Sequence, residues 1–162
     1  MNWANVRLVI FDADNTLRRR TDLQKKAPLT EDDWEIMPGI RDAIDSIRHY
    51  PIVFGIASNQ ACVGRKEISF SVAYNMLFML SLLLNMKTSP LAVKMCPHTP
   101  EDKCECRKPQ PGMLNDIIDF WEISPEETLF IGDALTDRQA AENAGCQFMF
   151  IEKFLKQGKE QI

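Results

Sequence analysis

The chain has 162 residues, 45% hydrophobic and 26% charged, which is enough for a sizeable core and ordinary for a globular protein. A net charge of −4 gives no general pull toward nucleic acid or anionic lipid, so neither is an expected partner. Five cysteines would leave one unpaired in any disulfide framework, and three of them crowd beside His98, which fits metal binding in a reducing, cytoplasmic setting.

Met1 is followed by a polar stretch and a short apolar run, so no signal peptide is expected. Residues 6–11 read as a buried strand that stops at Asp12 and Asp14. Strand periodicity turns both carboxylates to one side at the carboxyl end of the strand, where open parallel sheets place their ligands. Two carboxylates so close require a cation, a retained proton or good solvation. An Asx-rich turn explains the pair equally well from these residues alone.

From Arg18 to Trp34 the chain is charged and aperiodic, and a loop or small flap is expected over about residues 18–37 rather than a packed element. Its cluster of Arg18, Arg19, Arg20, Lys25 and Lys26 could attract an anionic substrate, although such clusters are usually solvated surface. After Pro38-Gly39 a helix is predicted through Ile40, Ala43, Ile44 and Ile47, ending near Tyr50-Pro51. Residues 52–57 form a second buried strand that runs into Ser58-Asn59-Gln60.

A helix is predicted from about Lys66 to Asn85, and its stretch 68–86 carries no charge. A membrane span is rejected because of Asn75, Asn85 and several serines, and because the segments on either side are needed in one site. The helix is expected to be buried, or to join copies into a homo-oligomer through Leu77, Met79, Leu80, Leu83 and Leu84. A short third strand spans 91–95.

Cys96-Pro97-His98 and Cys104-Glu105-Cys106 then supply three thiolates and one imidazole, a complete tetrahedral Zn²⁺ set. With four protein ligands the zinc is expected to be structural, bracing the loop 96–106 that delivers Arg107 and Lys108. Cys62 and Cys146 read as small buried side chains. Past Pro111-Gly112 a helix places Met113, Leu114, Ile117, Ile118 and Trp121 on one face. Ser124-Pro125-Glu126-Glu127 has a capping pattern, and a fourth strand over 128–131 ends in Gly132-Asp133. Thr136 is the expected cap of a helix through Asn143, Gly145 lies just past its end, and 146–151 is a fifth strand. The charged tail from Glu152 is assigned no function.

Alternating strands and helices argue an α/β fold: a Rossmann-like three-layer sandwich with a mainly parallel sheet, one domain over 1–162, and no large cap. Three strand ends then bring Asp12/Asp14, Ser58/Asn59 and Asp133/Asp137 to one edge.

Asp12-x-Asp14-x-Thr16-Leu17, Ser58-Asn59-Gln60, Arg107-Lys108-Pro109 and Gly132-Asp133-x-x-x-Asp137 resemble, in order and in setting, the four motifs of the haloacid dehalogenase superfamily. The Cys/His loop narrows the resemblance to its small capless phosphatases, which include histidinol-phosphate and D-glycero-D-manno-heptose-1,7-bisphosphate phosphatases. The resemblance implies a Mg²⁺-dependent phosphomonoester phosphatase. Asp12 is the implied nucleophile, forming an aspartyl-phosphate, and Asp14 the implied acid and base. Mg²⁺ would be held by Asp12, the backbone carbonyl of Asp14 and Asp133, with Asp137 behind them or holding Lys108. Ser58 and the amide of Asn59 would bind phosphate, Lys108 would neutralise charge, and Arg107 would clamp the substrate. The implied substrate is a small phosphorylated metabolite of the histidinol phosphate or sugar phosphate type, and the short gap between His98 and Cys104 resembles the histidinol-phosphate branch.

Polynucleotide 3′-phosphatases share the four motifs. A catalytically silent binding protein of the same fold would be expected to lack one of Asp12, Asp14, Lys108 and Asp133, and all are present. Asn15 stands where the family has glycine, and asparagine tolerates a left-handed backbone.

Overall fold

The structure, a computed structural model, describes residues 1–159. Its strands and helices run β1 (Leu8–Phe11), β2 (Arg18–Arg20), β3 (Trp34–Ile36), α1 (Ile40–Ile47), β4 (Val53–Asn59), α2 (Ala61–Gly64) and α3 (Phe70–Leu83). They continue with β5 (Val93–Cys96), α4 (Gly112–Trp121), β6 (Thr128–Gly132), α5 (Leu135–Ala144), β7 (Gln147–Phe150) and α6 (Ile151–Lys159). Five strands form a parallel sheet in the order β5-β4-β1-β6-β7. The central position of β1 explains why all four of its residues are buried, and why its sequence is apolar without alternation.

Alternate residues of β1 serve opposite layers. Val9 and Phe11 join α1, α3 and α6 in one apolar cluster, whereas Leu8 and Ile10 face α4 and α5 in another. The three-layer α/β arrangement read from the sequence is the one observed. Gly55 on β4 marks how closely α4 approaches, since a Cβ there would come within 2.7 Å of Ile117 Cγ2. With all five strands of this sheet parallel, the carboxyl ends of β1, β4, β5 and β6 open on the same edge, and the candidate site lies there.

Several expectations need correction. The segment after Asp14 is an ordered flap: β2 and β3 pair antiparallel, and Arg18 is fully buried within it. Charged composition concealed this packing, because Arg18 is covered by its ion pair to Asp14 and by the Trp34 ring, 5.6 Å from the guanidinium carbon. The 66–85 helix begins only at Phe70. Lys66 adopts φ +60°, which breaks the chain into α2 and α3, and Ser69 caps α3 by accepting from the Val72 amide. Helix α3 buries Ala73, Met76, Leu77, Leu80 and Ser81 but leaves Phe70, Val72, Leu82 and Leu83 exposed.

Thr136 lies inside α5 instead of capping it; the Ala134 amide at the helix start is taken by the Asp137 carboxylate, 3.0 Å away. The tail from Glu152 is helical through Lys159, with Phe154 packed against Trp3 and Phe11 at ring-centroid distances of 5.9 and 5.6 Å. Cys62 is buried as expected, whereas Cys146 is half-buried. Among the described residues, no helix is long and apolar enough to cross a membrane.

Candidate active site

Asp12 follows β1 directly, and its amide still bonds to Ile131 of β6 at 2.9 Å, so the sheet itself fixes the carboxylate. The chain then turns tightly. The Ala13 carbonyl accepts from the amides of Thr16, Leu17 and Arg18, and Asn15 takes φ +62°. This left-handed residue reverses the chain and sends β2 back over the site.

Lys108 is delivered to Asp12 from the far side of the sheet edge. Its ammonium lies 2.5 Å from Asp12 Oδ1, 2.7 Å from Asp137 Oδ1 and 2.9 Å from the Ala57 carbonyl, and all three residues are buried. Asn59 holds its backbone: the amide side chain donates to the Lys108 carbonyl and accepts from the Lys108 amide, both at 3.1 Å. Asn143 takes the next carbonyl, that of Pro109, at 2.9 Å. Asp137 approaches closely only because position 132 has no side chain: a Cβ on Gly132 would fall 2.4 Å from Asp137 Oδ2.

Asp12, Asp133 and Asp137 bring carboxylate oxygens within 4.8 Å of one another. One ammonium does not balance three carboxylates. Burial, together with Asp137 and Asp14, therefore pushes Asp12 up to about 7 despite Lys108. Burial and Asp137 likewise raise Asp133, whose Oδ2 accepts from Asn15 at 3.2 Å. Burial disfavours the charge on Lys108, but Asp12 and Asp137 outweigh it and hold the ammonium above its usual range. The missing positive charge among these oxygens is what a hard divalent cation supplies.

The Asp14 side chain stands outside that group. Its Oδ1 accepts from Arg18 Nε at 2.8 Å and its Oδ2 from Gln60 Nε2 at 2.7 Å. Ser58, buried at the end of β4, accepts from the same Gln60 nitrogen at 2.8 Å. Arg107 reaches back to the His98 carbonyl at 3.2 Å. The sequence assigns no role to Gln60, Gly132 or Asn143, and places Arg18 only in a surface cluster able to attract an anion, not beneath Asp14. Gln60 and Gly132 carry a signal, their places in the Ser-Asn-Gln and Gly-Asp motifs; Asn143 carries none.

Cys96, His98, Cys104 and Cys106 converge at the end of β5. Sulfur–sulfur separations are 3.5 Å for Cys96–Cys104 and 3.4 Å for Cys104–Cys106, and His98 Nδ1 lies 3.6 and 3.3 Å from Cys96 and Cys106. Ligands about 2.3 Å from one tetrahedral centre stand about 3.8 Å apart, close to these separations, so the set fits a single zinc. Burial opposes ionisation of Cys104, but hydrogen bonds from Cys106 and the Arg107 amide bring it down to about 7. Burial and Cys104 raise Cys96 against a hydrogen bond with Cys106, and burial with both neighbouring thiols raises Cys106.

A cleft of about 290 Å³ opens above Asp14. Arg20 and Lys26 from the flap, Arg65 after α2 and Arg107 from the Cys/His loop all line it, with Asp14 as its one carboxylate. The charged surface cluster of the sequence thus contributes two of its members, Arg20 and Lys26, to the mouth of the site. Arg18 is buried beneath it.

The family model described as polynucleotide kinase 3 phosphatase matches residues 7–155. The chain belongs to this family of haloacid dehalogenase phosphatases. This phosphatase is 34% identical to the D-glycero-beta-D-manno-heptose-1,7-bisphosphate 7-phosphatase of Bordetella bronchiseptica, over 87% of the chain and 78% of that protein. A crystal structure of D,D-heptose 1.7-bisphosphate phosphatase from B. bronchiseptica, complexed with magnesium and phosphate, superimposes with a TM-score of 0.77 and 30% identity. It covers 94% of this chain and 87% of that one. The histidine biosynthesis bifunctional protein HisB of Legionella pneumophila is 30% identical over 91% of the chain, which spans 42% of that longer protein.

Proposed function

We propose that this phosphatase hydrolyses a small sugar phosphate carrying a second anionic group, through an aspartyl-phosphate on Asp12. The observation that carries the reading is the cleft lined by four cations and by Asp14 as its one carboxylate, two residues along the chain from Asp12 of the buried Lys108–Asp12–Asp137 array. The heptose bisphosphate named for its relatives is a substrate of this kind. Histidinol phosphate would present an ammonium to the same cations, which repel it.

Lys108 binds Asp12 Oδ1 and leaves Oδ2 to attack phosphorus. As that bond forms, the bond from phosphorus to the leaving oxygen breaks, and the oxygen takes the proton of the Asp14 carboxyl. Asp14 then accepts a proton from water, whose oxygen displaces the Asp12 carboxylate and frees inorganic phosphate. Ser58 and the Asn59 amide donate to the phosphoryl oxygens, and Lys108 faces the charge that gathers on them. Arg107 clamps the far end of the substrate. Asp12, Asp133 and the Asp14 carbonyl would hold Mg²⁺, which supplies charge neutralisation for the phosphoryl group, while Asp137 holds Lys108. Cys96, His98, Cys104 and Cys106 would hold a structural zinc that braces the segment carrying Arg107 and Lys108. The apolar outer face of α3 supports a contact between copies.

The name of the matching family favours a second substrate, a 3′-phosphorylated polynucleotide. One experiment separates the readings: phosphate release, with and without Mg²⁺, from a sugar bisphosphate, its monophosphate, histidinol phosphate and a 3′-phosphorylated oligonucleotide. The bisphosphate is expected to be fastest, turnover to vanish in Asp12→Asn, and Arg65→Ala to raise KM for the bisphosphate more than for the monophosphate. Preference for the oligonucleotide would support the second reading, and release unaffected by Asp12→Asn would exclude the covalent route.

A further inference from the structure

Gln60 is unused by the mechanism above, yet it stands between two of its groups. The residue is 2% exposed, and Nε2 reaches both Asp14 Oδ2, at 2.7 Å, and Ser58 Oγ, at 2.8 Å. An amide nitrogen has two hydrogens, and both are engaged. Chemistry fixes the orientation of the amide. Turned over, its oxygen would face the Asp14 carboxylate, acceptor against acceptor; as it stands, Oε1 accepts the Cys62 thiol at 3.7 Å. The backbone is equally held, with the Gln60 amide 2.7 Å from the Cys96 carbonyl and the Gln60 carbonyl 3.0 Å from the Val63 amide.

Two consequences follow for the reacting groups. Because the Ser58 hydroxyl accepts from Gln60, its own hydrogen is left to donate elsewhere, and the phosphoryl group is the acceptor the site would bring to it. Asp14 has one hydrogen bond on each oxygen, from Gln60 and from Arg18, so its carboxyl plane is fixed while each oxygen keeps a second lone-pair direction. The side chain is 31% exposed, so those directions remain open to the cleft that it lines. An acid that must meet one leaving oxygen in one transition state gains rate from such fixing.

We propose that Gln60 is a positioning residue that aligns the acid Asp14 and the phosphate-binding Ser58 through a single amide. The inference rests on the reading of Asp14 as the proton donor. Its signature is dependence on the leaving group. An alkyl phosphate needs a proton on its departing oxygen, whereas a nitrophenyl phosphate does not, since nitrophenolate leaves unaided.

The experiment compares kcat/KM for these two esters in the Mg²⁺-supplemented, zinc-loaded full chain. Asp14→Asn comes first and should slow the alkyl ester at least about 100-fold more than the aryl ester. If it slows both equally, the donor role of Asp14 fails and the proposal falls with it. Gln60→Met, which keeps length and bulk, should slow the aryl ester only about threefold through Ser58, and the alkyl ester at least about thirtyfold. Equal losses for both esters, or no loss, would overturn the proposal while leaving the Asp14 result standing. In the Asp14→Asn background, Gln60→Met should add no alkyl-specific loss, and an additive loss would count against it. Gln60→Leu, which also removes both donated hydrogen bonds and adds no charge, provides the same comparison if the methionine variant does not fold.

Discussion

Lys108 and Asp12 meet at 2.5 Å across 96 positions of sequence, both buried at the edge of the sheet. Burial alone would drive either group to neutrality; Asp12 and Asp137 together hold the charge on Lys108, whereas the charge on Asp12 is favoured by Lys108 and opposed by Asp137. Lys108→Met would leave two buried carboxylates facing one another. The expected cost is about 3–5 kcal/mol of stability by denaturant titration in Mg²⁺-free buffer, since an uncompensated buried charge remains. Phosphate release at saturating substrate should fall by about 10²–10³-fold, the scale of losing one preorganised charge in a phosphoryl transfer site.

The same crowding gives the protein a pH dependence of defined sign. Asp12 binds its proton more tightly folded, at about 7, than its ordinary value of 3.8. The folded state therefore holds more protons between those values, and stability falls as pH rises through that window, by at most about 1.4 kcal/mol per pH unit from this group. Urea titrations of the Mg²⁺-free protein from pH 4 to 8 should show the decline, superimposed on the titration of other groups. Saturating Mg²⁺ should flatten it, because the cation replaces the proton. A slope unchanged by Mg²⁺ would place the raised group away from the metal.

Gly132→Ala is expected to lower activity without unfolding the chain. Its Cβ would stand 2.4 Å from Asp137 Oδ2, so the carboxylate must retreat from Lys108 and from the Ala134 amide. Thermal unfolding should show a loss of about 1–3 kcal/mol, typical of overpacking, while kcat falls at least about tenfold. Full activity in the alanine variant would show that Asp137 has no part in fixing Lys108.

Removal of metal from the Cys/His loop should act on the site at a distance. Arg107 bonds to the His98 carbonyl, and Lys108 follows two residues after Cys106, so loosening the loop frees both. A chelator strong enough to take zinc is expected to lower the melting temperature and abolish turnover; Mg²⁺ alone should not restore activity, and Zn²⁺ with Mg²⁺ should. Recovery with Mg²⁺ alone would mean that the loop holds its shape without metal.

The sequence by itself determined the layering and the list of chemical groups, because both are written locally. Apolar runs that end in Asp12, Ser58 and Asp133, with amphipathic segments between them, dictate parallel strands whose polar ends share an edge. The spacing of Cys96, His98, Cys104 and Cys106 likewise marks a loop able to close on one ion. Tertiary structure alone decided what each group touches. Arg18 reads as surface charge until Trp34 and Asp14 enclose it, and Phe154 reads as part of a charged tail until Trp3 and Phe11 meet it. Gln60 gains its place only when the turn after β1 brings Asp14 within 2.7 Å of its amide. Most of these contacts join residues well separated along the chain, and their energies depend on burial and orientation, which have no period along a chain.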